Sequence, residues 1–296
     1  MNLKTITIIT AFFVSLAVSL IAYLFFPLPP SPPEPTVYSK IQDRGTIRAA
    51  YFVADPLFNI DPNTKIMSGT FYDIVELVAK KLSLKVSWTE EAGYGEMIQG
   101  LDSYRYDIVG SGVWVNSGRG KDADFTDPIY YDAVLGYTRP GDIRFDKDIS
   151  ILNSPDYKIS TMDGELAATI AAEDFPLAQT EALPQNSDWT QLILNVISGK
   201  ADIVFLAVAP ARSYLAKNPE SIREVPNSQL RVFPIAIMLS KGAYELKQSL
   251  DYALTEMALN GQVEAILKSN EEKFGYFPGS FIRPSLPYRD TGEQPQ

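Results

Sequence analysis

The chain of 296 residues contains no cysteine and no histidine. Without cysteine it can form no disulfide bond, no thiolate metal site and no lipid-modified cysteine. Without histidine, a Ser-His-Asp triad, a Cys-His pair and imidazole metal sites are excluded. Acid–base chemistry would have to use carboxylates, lysine or tyrosine. The composition therefore disfavours an enzyme without excluding one, and we predict no catalytic residue, no metal site and no cofactor.

Positive charge is also scarce, with 26 basic residues against 36 acidic residues and a formal net charge of −10. Binding to nucleic acid needs a basic face, so we predict no nucleic-acid partner. The length is sufficient for a large core and for two lobes.

The first 26 residues carry a single charged side chain, Lys4, and the run from Thr5 to Phe26 is uncharged. As a helix this run would be about 33 Å long, enough to cross a bilayer. The segment Ala17-Val18-Ser19 resembles a cleavage site, but the apolar run continues beyond it. We predict a membrane anchor over residues 1–26, with a cleaved signal sequence as the alternative. Because the N-terminal tail is short, we expect the folded part to lie at the periplasmic or extracellular face of the membrane. If the segment is cleaved, the protein would be secreted.

Two proline-rich segments flank the predicted folded region. Residues 27–36 form a stiff, extended linker in this prediction, with a proline-rich recognition peptide as the alternative. Residues 276–296 are rich in proline, glycine and charge, which predicts an irregular tail that lies loosely on the surface.

Between these segments the hydrophobic pattern predicts alternating strands and helices in two successive series. The first series has strands at 46–53, 84–88 and 107–109 and helices at 70–82 and 93–101; the second has strands at 157–161 and 202–206 and helices at 165–172, 189–198 and 209–216. Extended segments at 131–138 and 231–239 are natural crossovers, and helices at 243–260 and 262–268 follow.

This order predicts an α/β protein of two lobes, each a mainly parallel sheet flanked by helices, joined by two hinge crossovers. The first lobe comprises residues 37–134 with 238–275, and the second lobe comprises residues 135–237. Ligands bind such sheets at the carboxyl ends of the strands, so we expect the site in the cleft between the lobes.

The stretch from Tyr106 to Pro128 has the pattern of half a ligand clamp. A short apolar strand precedes a glycine-rich turn, in which Gly110 and Gly112 would let a ligand approach the backbone. Arg119 follows, and its planar guanidinium could bind a carboxylate.

Five segments follow one another along the chain in a characteristic order. They are Gly69-Thr70-Phe71-Tyr72-Asp73-Ile74, Tyr106-Asp107-Ile108-Val109, Arg119 with Asp124-Phe125-Thr126-Asp127-Pro128, Ile197-Ser198-Gly199-Lys200-Ala201-Asp202-Ile203-Val204 and Phe233-Pro234-Ile235-Ala236-Ile237. In order and spacing the chain, from about Gly45 to Gly275, resembles the type II periplasmic solute-binding proteins, in the polar amino-acid-binding group of ABC transporters.

The resemblance implies three ligand contacts in the first lobe. Arg119 would pair with the ligand's α-carboxylate; the alternative is a surface arginine paired with Asp122 or Asp124. The backbone carbonyl of Gly112 would meet the ligand's amine. Tyr94 would form an aromatic wall, with a solvent-facing tyrosine as the alternative.

The chain also departs from the family's pattern in both lobes. Asp55 stands where the family often has an aromatic that stacks on the ligand. Trp114 takes the place of a threonine or serine, either as a wall of the site or as core packing. Gly164 and Glu165 replace the Gly-Thr or Gly-Ser at the start of a second-lobe helix, where Glu165 would repel a ligand carboxylate. Ala207 replaces the aspartate that binds the ligand's amine.

Two interpretations of the ligand follow. In the first, Asp55 or Glu165 binds the cationic group of the ligand, and the ligand is an amino acid or a polyamine-like compound. Alternatively, Trp114 and Tyr94 present an aromatic wall to a larger organic ligand or cation.

The resemblance implies a tethered extracytoplasmic receptor that closes on a small polar solute and serves a membrane permease or a sensor partner. A second hypothesis is an enzyme similar to the cyclohexadienyl dehydratases on the same fold, with Glu165 as general acid. A third is a degenerate homologue that binds nothing, which the alanine at 207 favours.

Overall fold

The computed structural model describes residues 2–25, 34–273 and 281–284. The chain divides into two compact units, residues 1–35 and residues 36–296. The first unit contains one helix, α1 (Leu3–Phe25). Within the described residues, no helix combines the length and the apolar character needed to cross a membrane, so the structure does not support the anchor predicted over residues 1–26. Most of the predicted linker, residues 27–33, lies outside the described residues.

The second unit alternates strands and helices, as the sequence predicts. Its described helices are α2 (Val37–Arg44), α3 (Thr70–Lys81), α4 (Met97–Asp102), α5 (Leu166–Asp174), α6 (Thr190–Ile197), α7 (Val208–Lys217), α8 (Tyr244–Leu259) and α9 (Gln262–Lys273). Its described strands are β1 (Thr46–Tyr51), β2 (Asn59–Ile60), β3 (Met67–Ser68), β4 (Lys85–Glu91), β5 (Ile108–Trp114), β6 (Ala123–Phe125), β7 (Tyr130–Thr138), β8 (Lys158–Met162), β9 (Gln179–Leu183), β10 (Ile203–Ala207), β11 (Arg223–Glu224) and β12 (Arg231–Ser240).

Helix boundaries follow local chemistry. The hydroxyl of Thr36 accepts a hydrogen bond from the backbone N–H of Ser39 and so caps the start of α2. Gly45 ends α2 in the left-handed conformation with φ 65°. In α3 the apolar residues predicted for one face, including Ile74 and Val78, are buried against the sheet.

Strands β1 to β12, except the β2–β3 pair, form one sheet whose main path runs β4-β1-β5-β12-β7-β10-β8-β9. In the first lobe β4, β1 and β5 are parallel, and in the second lobe β10, β8 and β9 are parallel. Helix α3 packs on the first group, and α8 and α9 pack against α3; helices α5, α6 and α7 pack on the second group. The predicted two-lobe α/β fold with mainly parallel sheets is thus confirmed.

The two predicted crossovers are β7 and β12, and they pair with each other in antiparallel register from Arg231 opposite Val134 to Ile235 opposite Tyr130. Strand β12 also pairs with β5 of the first lobe, and β7 also pairs with β10 of the second. The hinge is therefore a hydrogen-bonded ribbon that joins the strands of the two lobes into one sheet.

The prediction of a loosely lying tail is wrong for its described part, residues 281–284. Phe281 is fully buried and packs edge-on against Tyr130, with ring centroids 4.7 Å apart. Ile282 and Tyr131 exchange two backbone hydrogen bonds of 2.7 and 2.9 Å. Arg283 forms an ion pair with the nearly buried Glu271 at 2.7 Å. An apolar ring and a partnered arginine hold this segment against the start of β7.

Candidate functional site

A small cavity lies between the lobes at the carboxyl ends of β1, β5 and β10, where the sequence predicts the site. It encloses about 50 Å³. Six of the eight predicted site residues line it: Tyr94, Gly112, Trp114, Arg119, Glu165 and Ala207. Apolar side chains that were not predicted from the sequence also line it, among them Phe52, Leu57, Met97, Trp189, Leu206 and Pro210.

Arg119 opens a short 3-10 turn after β5, and its backbone N–H bonds to the side chain of Asn116 at 2.9 Å. Its guanidinium donates to the carbonyl of Trp114 at 3.3 Å and to that of Gly164, in the second lobe, at 2.9 Å. Burial lowers the pKa of Arg119, and the nearby Glu165 opposes this shift. In the described part of the chain no ion pair joins Arg119 to Asp122 or Asp124, the partners of the surface-arginine alternative, and Asp124 pairs with Lys241.

The glycines of the clamp make room for side chains of the first lobe. Gly112 has φ 81°, and a Cβ at this position would lie 2.2 Å from the ring of Phe71. A Cβ at Gly110 would lie 2.8 Å from the ring of Trp88. These close approaches explain the glycines without a ligand, although Gly112 also lines the cavity.

Two aromatic residues predicted as walls do line the cavity. Trp114 also packs against Phe233 with ring centroids 6.2 Å apart, so it serves both as a wall and as packing at the hinge. Tyr94 is not solvent-facing: it packs against Phe52, with centroids 4.9 Å apart, and touches apolar clusters of both lobes. Burial raises the pKa of the Tyr94 hydroxyl well above its usual value.

Glu165 caps α5, where its carboxylate accepts a hydrogen bond of 2.7 Å from the backbone N–H of Ala167. The residue is 7% exposed and lines the cavity. Burial raises the pKa of Glu165 to about 7, while the N–H groups of Ala167 and Leu166 and the charge of Arg119 oppose this rise. The second lobe thus brings a carboxylate with an elevated pKa into the same cavity as the arginine of the first lobe.

Gly164 does not line the cavity but forms part of the contact between the lobes. Its φ is 77°, and a Cβ there would lie 2.8 Å from the backbone nitrogen of Gly95. Its carbonyl accepts the hydrogen bond from Arg119. A second bond between the lobes joins Gln185 to Glu96 at 2.9 Å. The two lobes are therefore closed on each other.

Asp55 is not among the residues that line the cavity. Its carboxylate accepts a hydrogen bond from Ser213 at 2.9 Å and pairs with Lys217, both on α7 of the second lobe. A lysine thus already satisfies its charge, and the structure does not bring Asp55 to the position expected for a group that binds the ligand's cation.

Ala207 lies at the start of α7, is 5% exposed and lines the cavity, but it offers no charge. A neighbouring carboxylate, Asp132 on β7, is 1% exposed and also lines the cavity, although it is not among the residues predicted from the sequence. Burial raises the pKa of Asp132 to about 7, opposed by the N–H groups of Val208 and Ala133 and by the charge of Arg212. The available signal was one carboxylate within the otherwise uncharged segment 130–138.

Comparison with known proteins identifies relatives of similar length. A probable amino-acid ABC transporter periplasmic-binding protein of Sinorhizobium fredii is 24% identical over 271 residues, which cover 86% of this chain and 84% of that protein. Among solved structures, the solute receptor for L-cysteine of Neisseria gonorrhoeae has a TM-score of 0.73 at 19% identity, covering 84% of this chain and 100% of that one. An ancestral amino-acid-binding protein, a precursor of cyclohexadienyl dehydratase, has a TM-score of 0.70 at 24% identity, covering 79% of this chain and 98% of that one.

The two solved structures share the two-lobe fold. The family model of the bacterial extracellular solute-binding proteins, family 3, matches residues 47–270, which include every residue described above as lining the cavity. This match also assigns the chain to an extracytoplasmic location. The protein belongs to family 3 of the bacterial extracellular solute-binding proteins.

Proposed function

We propose that this protein binds an amino acid or a closely related small polar compound in the cleft and serves an ABC-type permease or a sensor partner. The observation that carries the proposal is the half-buried guanidinium of Arg119, which lines the cavity and donates hydrogen bonds to two main-chain carbonyls. A guanidinium interacts most strongly with a carboxylate, which can accept two parallel hydrogen bonds.

The remaining walls support a ligand with one apolar flank. Tyr94 and Trp114 offer flat aromatic faces, and Gly112 lines the cavity, where its carbonyl would accept a hydrogen bond from the ligand's amine. The lobes, which we take as residues 37–134 with 238–275 and residues 135–237, would close over the ligand by bending at the β7–β12 ribbon. The Sinorhizobium fredii relative, named as an amino-acid ABC transporter protein, is consistent with this role.

A thermal-shift screen of the full chain tests the proposal, with the proteinogenic L-amino acids, L-ornithine, L-cystine and putrescine as probes and titration calorimetry of each hit. At 100 times its Kd a ligand stabilises the folded state by about 2.7 kcal/mol, which corresponds to a shift in Tm of roughly 5–10 °C. We expect at least one amino acid to produce such a shift. Binding of putrescine alone, which has no carboxylate, would contradict the assigned role of Arg119.

A second candidate function is a dehydratase-like lyase, favoured by the position of Glu165. This carboxylate is buried in the cavity with a pKa of about 7, as a general acid requires near neutral pH. One solved structure with the same fold is described as a precursor of cyclohexadienyl dehydratase. Product analysis with prephenate and arogenate separates the two functions: turnover that disappears in Glu165→Gln would establish an enzyme, whereas binding without turnover supports a receptor.

A further inference from the structure

We propose that Asp132 binds the ligand's ammonium group and thereby replaces the carboxylate that is absent at Ala207. The inference rests on the proposed function, because it assigns the second charged contact of an amino-acid ligand. It also specifies the ligand class: a compound that carries a carboxylate for Arg119 and an ammonium for Asp132.

The first argument is the state of the Asp132 carboxylate. Its Oδ1 atom is buried and has no hydrogen-bond partner within the described part of the chain, although the residue lines the cavity. Buried carboxylate oxygens are usually paired, because leaving one unpaired costs the free energy of its lost hydration. An ammonium group in the cavity would supply the missing donor.

The second argument is the position of Asp132 beside residue 207. Strand β7 pairs with β10 in antiparallel register, with Val134 opposite Ala207. Asp132 lies two residues before Val134, and the backbone N–H of Val208 is close enough to lower the pKa of its carboxylate. The carboxylate therefore lies next to the site where the family's aspartate would project, although it comes from the neighbouring strand.

The third argument compares Asp132 with the other two candidate carboxylates. One oxygen of Asp55 is likewise buried without a hydrogen-bond partner, but its other oxygen pairs with Lys217, and Asp55 is not among the residues that line the cavity. Glu165 caps α5, and the positive charge of Arg119 acts on it from across the cavity. Asp132 is the remaining cavity carboxylate in the described part of the chain, and one of its oxygens still needs a donor.

The electrostatic surroundings of Asp132 are consistent with a cation-binding role. The groups that act on it are the N–H groups of Val208 and Ala133 and the charge of Arg212, on α7, whose effect is the smallest of the three. Burial outweighs them and raises the pKa of Asp132 to about 7. An adjacent ammonium favours the ionised carboxylate, so binding of a cation would relieve the cost of this burial.

The test is a comparison of Asp132→Asn with the wild-type full chain by titration calorimetry. The probes are the tightest-binding amino acid from the screen of proteinogenic L-amino acids, L-ornithine and L-cystine, and its des-amino analogue, in which hydrogen replaces the α-amine. We expect the asparagine variant to lose at least about tenfold in affinity for the amino acid and less than about threefold for the analogue. Asp146→Asn, which removes a carboxylate of the ion pair with Arg223, is the matched control and should leave both affinities unchanged.

Each other outcome has a defined meaning. Equal losses for the amino acid and its analogue would overturn the inference and assign Asp132 a structural role. An unchanged affinity for the amino acid would overturn it as well. If no member of the panel binds to the wild-type protein, the proposed function fails and the inference fails with it. A double variant, Asp132→Asn with Ala207→Asp, gives an independent check, because a carboxylate returned to residue 207 should recover part of the lost affinity.

Discussion

Arg119 donates a hydrogen bond of 2.9 Å to the carbonyl of Gly164, which joins the side chain proposed to bind the ligand carboxylate to the second lobe. The same guanidinium also bonds to the carbonyl of Trp114 within its own lobe. One side chain thus serves two purposes, since it can bind a ligand carboxylate and can hold the lobes together. Ligand affinity and closure should therefore respond together to changes at Arg119.

Replacement of Arg119 by alanine should weaken amino-acid binding by at least about 2 kcal/mol, because it removes the charge-assisted contact proposed for the ligand carboxylate in the cleft. Arg119→Lys should recover only part of this loss, since an ammonium cannot form the paired contacts of a guanidinium. Titration calorimetry with the tightest-binding amino acid of the panel measures both effects. Arg105→Ala, which removes an arginine on the first-lobe surface, is the matched control. Unchanged affinity in Arg119→Ala would show that the ligand carboxylate lies elsewhere.

Gly164→Ala should hinder closure of the lobes. The backbone at Gly164 has φ 77°, which costs a non-glycine residue about 1 kcal/mol or more, and the added Cβ would lie 2.8 Å from the nitrogen of Gly95. We expect a larger radius of gyration in solution scattering and at least about a tenfold loss of ligand affinity. Gly199→Ala is the control for backbone strain alone, because Gly199 has a similar φ of 78° and an added Cβ there would meet no other atom within 4 Å. If both variants behave alike, contact between the lobes at Gly164 is unimportant.

The pH dependence of stability should reveal the two cavity carboxylates. The pKa values of Glu165 and Asp132 are raised to about 7 in the folded protein, so between about pH 4 and pH 7 the folded state binds more protons than the unfolded state. Their burial therefore lowers the free energy of unfolding as pH rises through this window, and the cost is fully present above pH 7.

Glu165→Gln and Asp132→Asn should each remove this cost. The free energy of unfolding of each variant minus that of the wild type should be larger at pH 8 than at pH 4, by on the order of 2 kcal/mol. This is less than the full pKa shift implies, because the protein relaxes. Urea denaturation without added ligand at the two pH values measures the difference. A difference independent of pH would mean that neither carboxylate has an elevated pKa.

The ion pair between Asp55 and Lys217 should contribute little to closure. Lys217 is 65% exposed on its side chain, and exposed ion pairs are worth less than about 1 kcal/mol. Lys217→Ala should therefore lower ligand affinity by less than about fivefold, and the loss should shrink further at high salt. Calorimetry at two salt concentrations measures it, with Lys268→Ala on α9 as the control. A loss above tenfold would give this pair a larger role than its exposure predicts.

The tail contact should contribute strongly to stability. Phe281→Ala removes a fully buried ring and should lower the free energy of unfolding by about 3 kcal/mol, whereas Ile282→Ala, at a residue that is 41% exposed, should cost less than about 1 kcal/mol. Thermal and urea unfolding of the full chain provide the measurement. Equal, small effects would indicate that the tail is not held at β7 in solution.

The sequence predicted the fold well because the sheet strands and amphipathic helices carry strong periodic patterns. Helix α3 was expected over 70–82 and occupies Thr70–Lys81, and α7 was expected over 209–216 and occupies Val208–Lys217. The helix expected over 93–101 is α4 (Met97–Asp102), because the glycines at 93 and 95 keep the chain irregular before it. Strand β9 was missed, because Gln179–Leu183 is an edge strand with little hydrophobic signal.

The candidate site was predicted less evenly than the fold. Arg119 could be found because it follows a glycine-rich turn at the end of a strand, and Glu165 because the family resemblance marks the start of a second-lobe helix; both line the cavity. Asp55 was predicted to line the site but does not, because it pairs with Lys217. The two residues are 162 positions apart, so their ion pair cannot be predicted from the local sequence. Asp132 was missed because its role depends on which strand lies beside β10, and strand order is a property of the whole sheet.

The ribbon formed by β7 and β12 restricts how the lobes can move. Strands β7 and β12 are hydrogen-bonded to each other and to the neighbouring strands of both lobes. If the lobes opened by separating these strands, several backbone hydrogen bonds would be lost. The movement must instead be spread as a small change in twist along the ribbon. Amides in β7 and β12 should thus exchange slowly with solvent whether the lobes are open or closed, and only amides at the rim of the cleft should report the position of the lobes.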